Sequence, residues 1–263
     1  MKKKILSALI AISAVLLFFV VKPQTASAAT TDSNNDPVFF IPGAFDNNDS
    51  WQKMVSILDP NSVHPLTKLN ANAATNKVLR QDVRKGQAGQ RPFVIVLFPV
   101  NQYHEDVIRK DGDALRDALN TYNQKTPFTN GDFVAQSNGG TITTTYLEKD
   151  PSAYHFDHFI SIGTPYNFQA GNGAANTAFL NRLIQKNNNL PDDLDVTNVI
   201  GASGDDDSTD GVVSRDSALS GRLIFEGNVG SFKQMFITGE DASHGNQESS
   251  PQFASIVSDI LGL

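Results

Sequence analysis

A serine in the middle of the chain stands where strand-like sequence changes to helix-like sequence. Ser137 follows the apolar stretch "DFVAQ" and precedes the helix-like stretch "NGGTITTTYLEKD". A nucleophilic serine is held on such a sharp turn, and small residues two positions before and after it prevent clashes between strand and helix. Ala135 and Gly139 occupy these positions. The pattern is typical of a nucleophile turn, and the alternative is a serine that only caps the helix.

A serine nucleophile needs a base, which is usually a histidine. The chain has five histidines, namely His64, His104, His155, His158 and His244. His64 and His104 precede the serine, and His155 and His158 stand at the beginning of a predicted strand. His244 lies between the last predicted strand and the last predicted helix, where the loops of a parallel sheet form the ligand crevice. We therefore select His244 as the base, and the alternative is a solvated loop histidine.

An acidic loop, "SGDDDSTDGVVS", follows a predicted strand and offers candidates for the carboxylate that orients the histidine. Asp205, Asp206 and Asp207 form a run that is typical of a solvated surface or of a helix cap. Asp210 stands in a tight turn beside Gly211, and two valines that can anchor the turn follow it. We predict Asp210 as the orienting carboxylate, so that serine, aspartate and histidine each follow a strand of their own.

The same acidic loop also has features of a calcium site. Counted from Asp206 it begins like an EF-hand loop, but its twelfth position is Ser217 instead of the chelating glutamate. No flanking pair of helices is evident, which argues against an EF-hand and leaves an irregular cation site as the alternative. For the serine site itself we expect neither a metal nor another cofactor.

A serine site of this kind needs two backbone N–H groups that bind the negatively charged oxygen of the intermediate. One is expected from Asn138, which directly follows the serine, and the other from the loop after an early strand. That loop reads "IPGAFDNNDSW", in which Gly43 permits a turn. Ala44 is the predicted donor and Phe45 is the second choice; an ordinary strand-ending turn is the alternative.

The elements that must position these residues alternate along the chain. Buried strands are predicted from the apolar stretches "VFFIPG", "PFVIVLFPV", "DFVAQS", "HFDHFISIGTP", "VTNVIGASG" and "FKQMFITG". Helical patterns separate most of them, whereas residues 59–91 are polar and less regular, with room for one strand. Alternating strands and helices predict a doubly wound α/β fold, with a mostly parallel sheet and helices on both faces.

The N-terminus has the features of an export signal. Lys2, Lys3 and Lys4 precede an apolar run, and "ASA" ends at Ala28, where a signal peptidase is expected to cleave. We therefore predict a signal peptide over residues 1–28, a flexible polar leader over 29–36 and a single α/β domain over 37–263. An uncleaved membrane anchor is the alternative, and either reading places the domain outside the cell or on its surface.

Composition narrows the classes of function. The chain contains no cysteine, so that a disulfide scaffold is excluded. Its formal net charge of −7 argues against nucleic acid as a partner.

The chain resembles the α/β-hydrolase fold superfamily, and most closely the secreted or cell-surface α/β-hydrolases of Gram-positive bacteria. The motifs "VFFIPGAF", "FVAQSNGG", "FISIGTPYN", "STDGVVS" and "ASHGNQES" fall in the order of that family. Three residues depart from the usual pattern: Gln136 and Asn138 replace a histidine and a methionine, and Pro42 replaces the histidine of an "HG" turn. These departures affect the assignment of a substrate.

The resemblance implies hydrolysis of a small-molecule or lipid-like ester through an acyl-enzyme. Ser137 would attack, His244 would carry the proton, Asp210 would hold the imidazole, and Ala44 and Asn138 would bind the oxyanion. Association with the cell envelope fits this class. Two alternatives stay open: a non-catalytic cell-surface binding module on the same fold, and an acyltransferase or peptidase that uses the same residues.

A segment between two predicted strands, residues 164–189, is interpreted as an insertion. Its stretch "NTAFLNRLIQ" is helical, and it forms either a small lid over the site or a plain crossover helix.

Overall fold

The structure is a computed structural model of the 263-residue chain, and it describes residues 36–45, 49–100, 102–149, 154–203 and 207–263. The predicted signal peptide, and the leader apart from Asp36, lie outside the described residues. None of the helices in the described part is both long enough and apolar enough to span a bilayer.

One eight-stranded sheet forms the centre of the domain, and its strands follow the spatial order β3-β2-β4-β1-β5-β6-β7-β8. Only the β2–β3 pair is antiparallel, and all other neighbouring pairs are parallel. The predicted fold class is therefore confirmed. The strands are β1 (Val38–Ile41), β2 (Leu66–Asn72), β3 (Lys77–Arg84), β4 (Phe93–Leu97), β5 (Asn130–Gln136), β6 (His155–Ile162), β7 (Asp195–Ala202) and β8 (Ser231–Thr238).

Helices cover both faces of this sheet. They are α1 (Asp49–Leu58), α2 (Glu105–Lys125), α3 (Asn138–Leu147), α4 (Ala178–Lys186), α5 (Arg215–Leu219), α6 (Arg222–Phe225) and α7 (Pro251–Leu261). Alternate residues of β1 point to opposite sides: Phe39 joins the core under α2, α3 and α4, whereas Phe40 joins the core under α1 and α7. Strands buried on both faces explain the continuous apolar runs in the sequence.

The hairpin of β2 and β3 was only partly predicted. Residues 59–91 offered room for one strand, but the structure has two, joined by a tight turn after Asn72. The Asn72 side chain accepts hydrogen bonds from the N–H groups of Ala74 and Thr75, and Asn76 adopts a positive φ of 51°. Because β3 is the sheet edge and is largely exposed, it lacks the apolar run that revealed the central strands.

Helix α4 of the inserted segment packs against the sheet as a crossover helix. Helix α4 begins after Thr177, whose side chain caps it, and buries Phe179, Leu180 and Leu183 in the core. Arg182 on the same helix forms an ion pair with Glu105 at 2.9 Å. A helix held by core packing and by an ion pair to α2 is a fixed part of the domain.

Candidate active site

Ser137 occupies the sharp turn between β5 and α3. Its φ of 52° and ψ of −123° lie outside the regions that non-glycine residues favour. Its side chain makes no capping hydrogen bond to α3, although the residue stands at the N-cap position. The backbone N–H of Ser137 instead donates to the carbonyl of Ile162 at the end of β6, at 2.9 Å. These contacts hold a strained turn at the carboxyl end of the sheet and argue against a mere helix cap.

The small residues around the turn are required by close packing. A Cβ on Gly139 would lie 2.3 Å from the carbonyl oxygen of Ile41, so that no side chain fits there. Ala135, two residues before the serine, is fully buried and pairs with Ile41 across the β1–β5 ladder. The methyl group of Ala135 is thus accommodated in the core.

The three residues selected from the sequence lie in hydrogen-bonding contact. Ser137 Oγ is 2.9 Å from His244 Nε2, and His244 Nδ1 is 2.7 Å from Asp210 Oδ2. Asp210 is only 2% exposed. The carboxylate requires the proton on Nδ1, which leaves the lone pair of Nε2 directed at the serine hydroxyl. In this arrangement the imidazole can take the proton of Ser137 Oγ.

The turn around Asp210 explains why this aspartate is the one that meets the histidine. Oδ1 of Asp210 accepts hydrogen bonds from the N–H groups of Val212 at 3.0 Å and Val213 at 2.7 Å. Gly211 makes the turn with a φ of 99°. The backbone N–H of His244 donates to the Asp210 carbonyl at 2.8 Å, which joins the two loops directly.

The other acidic residues of the loop have different environments. Asp207 is exposed at the surface, whereas Asp205 and Asp206 lie outside the described residues. The EF-hand-like start of the loop lies outside them as well. Within the described part of the chain, no three His, Cys, Asp or Glu side chains are grouped so that they could hold a metal ion.

Two buried glutamines complete the surroundings of the candidate site. Gln247 Nε2 donates to Asp210 Oδ2 at 2.9 Å and to the Ala242 carbonyl at 3.1 Å. Gln136 Nε2 lies 3.3 Å from Gln247 Oε1, 3.2 Å from the His244 carbonyl oxygen and 3.3 Å from His244 Nε2, the ring nitrogen that also contacts Ser137. Sequence reasoning singled out Gln136 only as a departure from the family pattern. Gln247 was missed, because a polar residue in a polar loop carries no signal of burial.

The predicted oxyanion donors lie on both sides of the serine. Asn138 is the first residue of α3, and its side-chain amide donates to the Gln102 carbonyl at 3.3 Å, away from the serine. Ala44 lines the same cleft as Ser137. The neighbouring Gly43 packs so closely that a Cβ on it would lie 3.0 Å from Ser137 Cβ. The Gly43 N–H donates to the buried carboxylate of Glu248 at 3.3 Å, which fixes this loop.

A cleft of about 640 Å³ opens at Ser137 and His244. Its wall contains no acidic side chain, lysine or arginine among the described residues. Tyr103 and Phe168 stack in the wall with ring centroids 4.4 Å apart, and burial raises the pKa of Tyr103 well above its usual range. Phe45 and Val212 stand at the rim, 77% and 73% exposed. The other lining residues are Ala44, Pro165, Gln169, Ala170, Gly171, Thr209, Val213 and Ser214.

A family model described as alpha/beta hydrolase of unknown function (DUF915) matches residues 25–262. The chain belongs to this family. The resemblance stated from the sequence is therefore confirmed. A comparison with curated proteins found no match.

Solved structures agree with the fold of this alpha/beta hydrolase. A protein of Lactobacillus plantarum WCFS1 described as a cell surface hydrolase is 23% identical, with a TM-score of 0.76 over 87% of this chain and 92% of that chain. A gene product of Listeria innocua is 24% identical, with a TM-score of 0.77 over 85% and 92% of the two chains. The lipase BlEst2 of Bacillus licheniformis is 13% identical, with a TM-score of 0.50 over 87% and 92%.

The remaining histidines of this alpha/beta hydrolase have other partners. His64 stacks on Phe93 with ring centroids 4.4 Å apart, and the His104 ring caps helix α2. His155 and His158 begin β6, at the amino-terminal end of the sheet. There the hydrogen bond with the Asp132 carboxylate raises the pKa of His158. In the described part of the chain, none of these four is hydrogen-bonded to Ser137.

Proposed function

We propose that the protein is a secreted or cell-surface serine hydrolase that cleaves carboxylic esters through an acyl-enzyme on Ser137. The observation that carries the proposal is the pair of contacts of the His244 ring, with Ser137 Oγ at 2.9 Å and with Asp210 Oδ2 at 2.7 Å. Both nitrogens of the imidazole are thereby assigned, one to the hydroxyl and one to a buried carboxylate. This is the arrangement that nucleophilic catalysis by serine requires.

The proposed reaction has two halves. In the first, Ser137 Oγ attacks the ester carbonyl while His244 Nε2 takes its proton, and His244 then returns this proton to the departing alcohol. In the second, water attacks the acyl-enzyme with His244 again as the base, which releases the acid and restores the serine. The N–H groups of Ala44 and Asn138 are proposed to hold the negatively charged oxygen in both halves.

The composition of the cleft supports an uncharged ester as the substrate. Among the described lining residues there is no acidic side chain, lysine or arginine to pair with an ionic substrate group, and burying an unpaired charge is costly. The stacked rings of Tyr103 and Phe168 provide apolar surface for an acyl chain. The exposed side chains of Phe45 and Val212 extend this surface to the rim, which suits a lipid-like ester.

The proposed location rests on the N-terminal pattern. A basic start, an apolar run and small residues before Ala28 support export and cleavage. The description of the Lactobacillus plantarum neighbour as a cell surface hydrolase agrees with it. We propose association with the cell envelope on the same grounds.

A fluorophosphonate probe tests the proposed chemistry directly, because it reacts only with an activated serine. The wild-type protein should be labelled and should release p-nitrophenol from short p-nitrophenyl esters, whereas Ser137→Ala should do neither. Ser231→Ala is the matched control, since Ser231 begins β8 at the opposite end of the sheet and should leave labelling unchanged. A wild-type protein that is folded but not labelled would contradict the proposal and favour a binding module. Product analysis with added alcohols or amines separates hydrolysis from acyl transfer.

A further inference from the structure

The side chains of Gln136 and Gln247, here called the amide bridge, close a ring of contacts around the candidate site. From Ser137 Oγ the ring passes through the His244 imidazole to Asp210 Oδ2. It continues from Asp210 through Gln247 Nε2 at 2.9 Å, and from Gln247 Oε1 to Gln136 Nε2 at 3.3 Å. Gln136 is covalently joined to Ser137, so that the ring returns to its starting point.

The orientation of both amides follows from their surroundings. Nε2 of Gln247 faces the Asp210 carboxylate and the Ala242 carbonyl, which can only accept hydrogen bonds. Oε1 of Gln247 must then face Gln136, whose Nε2 also lies 3.2 Å from the His244 carbonyl oxygen and 3.3 Å from Nε2 of the His244 ring. Gln136 and Gln247 are buried, at 4% and 0% exposure. Buried amides whose groups are matched in this way specify one arrangement of the chain segments that carry them.

The order of the strands explains why the His244 loop needs an attachment point near Ser137. β8, which leads into the His244 loop, is separated from β5 by β6 and β7. With about 4.8 Å between neighbouring strands, His244 must return laterally over roughly 14 Å to reach Ser137. A loop that crosses this distance needs a fixed point on β5, and Gln136 is the last residue of that strand.

The two strands that lie between also leave room for the bridge. β6 is followed directly by Gly163, and a Cβ there would lie 2.2 Å from Gln247 Oε1. β7 contains Gly201 near its end, and a Cβ there would lie 2.5 Å from Gln247 Nε2. Any side chain at these positions would collide with the Gln247 amide. Both positions also favour glycine for a second reason, because Gly163 has a φ of 54° and a Cβ on Gly201 would lie 2.4 Å from the Ala242 carbonyl oxygen.

We infer that the amide bridge is a positioning device that holds the Asp210 and His244 loops in register with Ser137. The inference rests on the proposed function and assigns to Gln136 and Gln247 the supporting contacts of the reacting groups. Neither glutamine lines the cleft. The bridge therefore acts on the rate of the chemical step and not on the binding of the ester.

The test removes the amides at nearly constant volume, with Gln136→Met, Gln247→Met and the double variant. Each single change should lower the second-order rate of fluorophosphonate labelling about tenfold, as expected for the loss of a hydrogen bond to a charged or reacting group. For a short ester, kcat should fall while KM stays constant. The double variant should be little slower than the slower single variant, because one missing link already opens the ring.

Asn198→Leu is the matched control. Asn198 is a fully buried amide that donates to the Ala218 carbonyl at 2.9 Å, outside the ring. It should lower the stability of the protein but not the rate of labelling by folded protein. Methionine variants that fold and are labelled at a rate within twofold of the wild type would overturn the inference. It would also be overturned if labelling of folded Asn198→Leu slowed as much as labelling of the methionine variants.

Two NMR measurements separate this inference from the proposed function. In the wild type, the side-chain amide protons of Gln136 and Gln247 should exchange far more slowly than those of the exposed Gln87. The His244 Nδ1 proton should give a downfield resonance that is lost or broadened in the methionine variants. Fast exchange of both wild-type amides would overturn the inference even if the variants do not fold. A wild type that shows slow exchange and the resonance but is not labelled would contradict only the ester chemistry.

Discussion

Replacement of Asp210 by asparagine is the change whose effect is determined most fully by the structure. The carboxylate accepts four hydrogen bonds: Oδ1 takes two from backbone N–H groups, and Oδ2 takes one from Gln247 Nε2 and one from His244 Nδ1. An asparagine side chain has only one acceptor oxygen. Whichever way it is turned, its NH₂ group faces two donors.

The less costly orientation keeps the oxygen on the backbone N–H groups of Val212 and Val213 and turns the NH₂ group towards His244 and Gln247. His244 can then avoid a clash only by moving its ring proton from Nδ1 to Nε2. In that tautomer Nε2 donates to Ser137 Oγ and can no longer accept its proton. The same substitution in an unrelated serine protease lowers kcat about 10⁴-fold. We expect a loss of about 10³- to 10⁴-fold in labelling and in ester hydrolysis.

The cost in stability should be similar in size to the effect on the reaction, since a 10³- to 10⁴-fold loss of rate corresponds to about 4–5.5 kcal/mol. Two hydrogen bonds to a charged group are lost, each of about 1.5–3 kcal/mol. Urea denaturation should show Asp210→Asn destabilised by about 3–6 kcal/mol, and rates should be compared at a temperature at which both proteins are folded.

Asp207→Asn is the control, because Asp207 belongs to the same acidic loop but is exposed. It should react at the rate of the wild type. A folded Asp210→Asn protein that retains more than a tenth of the wild-type rate would refute the assigned role of the carboxylate. A comparable loss in Asp207→Asn would show that the charge of the loop matters and not its geometry.

Three further changes test the packing and the electrostatics. In Gly43→Ala the new Cβ would lie 2.2 Å from Gln136 Oε1, the end of a side chain that can move, so that labelling should fall about tenfold with little change in thermal unfolding. In Gly139→Ala the Cβ would meet the backbone of Ile41, and we expect destabilisation of about 1–3 kcal/mol or more by urea denaturation; an equally stable variant would contradict this. Burial raises the pKa of Asp111 to about 7, from about 4 in an unfolded chain. The folded state therefore binds this proton more tightly and loses stability as the pH rises from about 4 to 7. Asp111→Asn should remove this slope and be more stable than the wild type at pH 8, whereas parallel pH curves would rule out this origin.

The central part of the fold could be predicted because its strands are buried on both faces. A run such as "FVIVL" in β4 contains no polar residue and therefore predicts a buried strand. Helical sequence between such runs implies that the strands pair in parallel. The β2–β3 hairpin was predicted less well, since β3 is largely exposed and its sequence, KVLRQDVR, has mostly charged and polar residues without a continuous apolar run. Helix α2 is continuous through Gly112, where a Cβ would lie 3.2 Å from Thr145 Cγ2 of α3, so that glycine allows the two helices to approach closely.

The three residues of the candidate site could be selected from the sequence because each follows a strand at the same edge of the sheet. This rule identified Ser137, Asp210 and His244 without any knowledge of strand order. It could not identify Gln247 or Glu248, since their roles depend on which loops meet above β6 and β7. That meeting is set by the three-dimensional path of the chain.

The departures at Gln136 and Asn138 can now be located relative to the cleft. The Gln136 side chain points beneath the His244 loop, and the Asn138 side chain bonds to the Gln102 carbonyl and to Thr141. Neither side chain lines the cleft, and only the backbone N–H of Asn138 is proposed to contact a bound ester, at its carbonyl oxygen. Their difference from the usual histidine and methionine therefore concerns how the site is held together. Selectivity for an ester must depend instead on the cleft wall, above all on the loop that carries Phe45 and on the segment from Phe168 to Gly171.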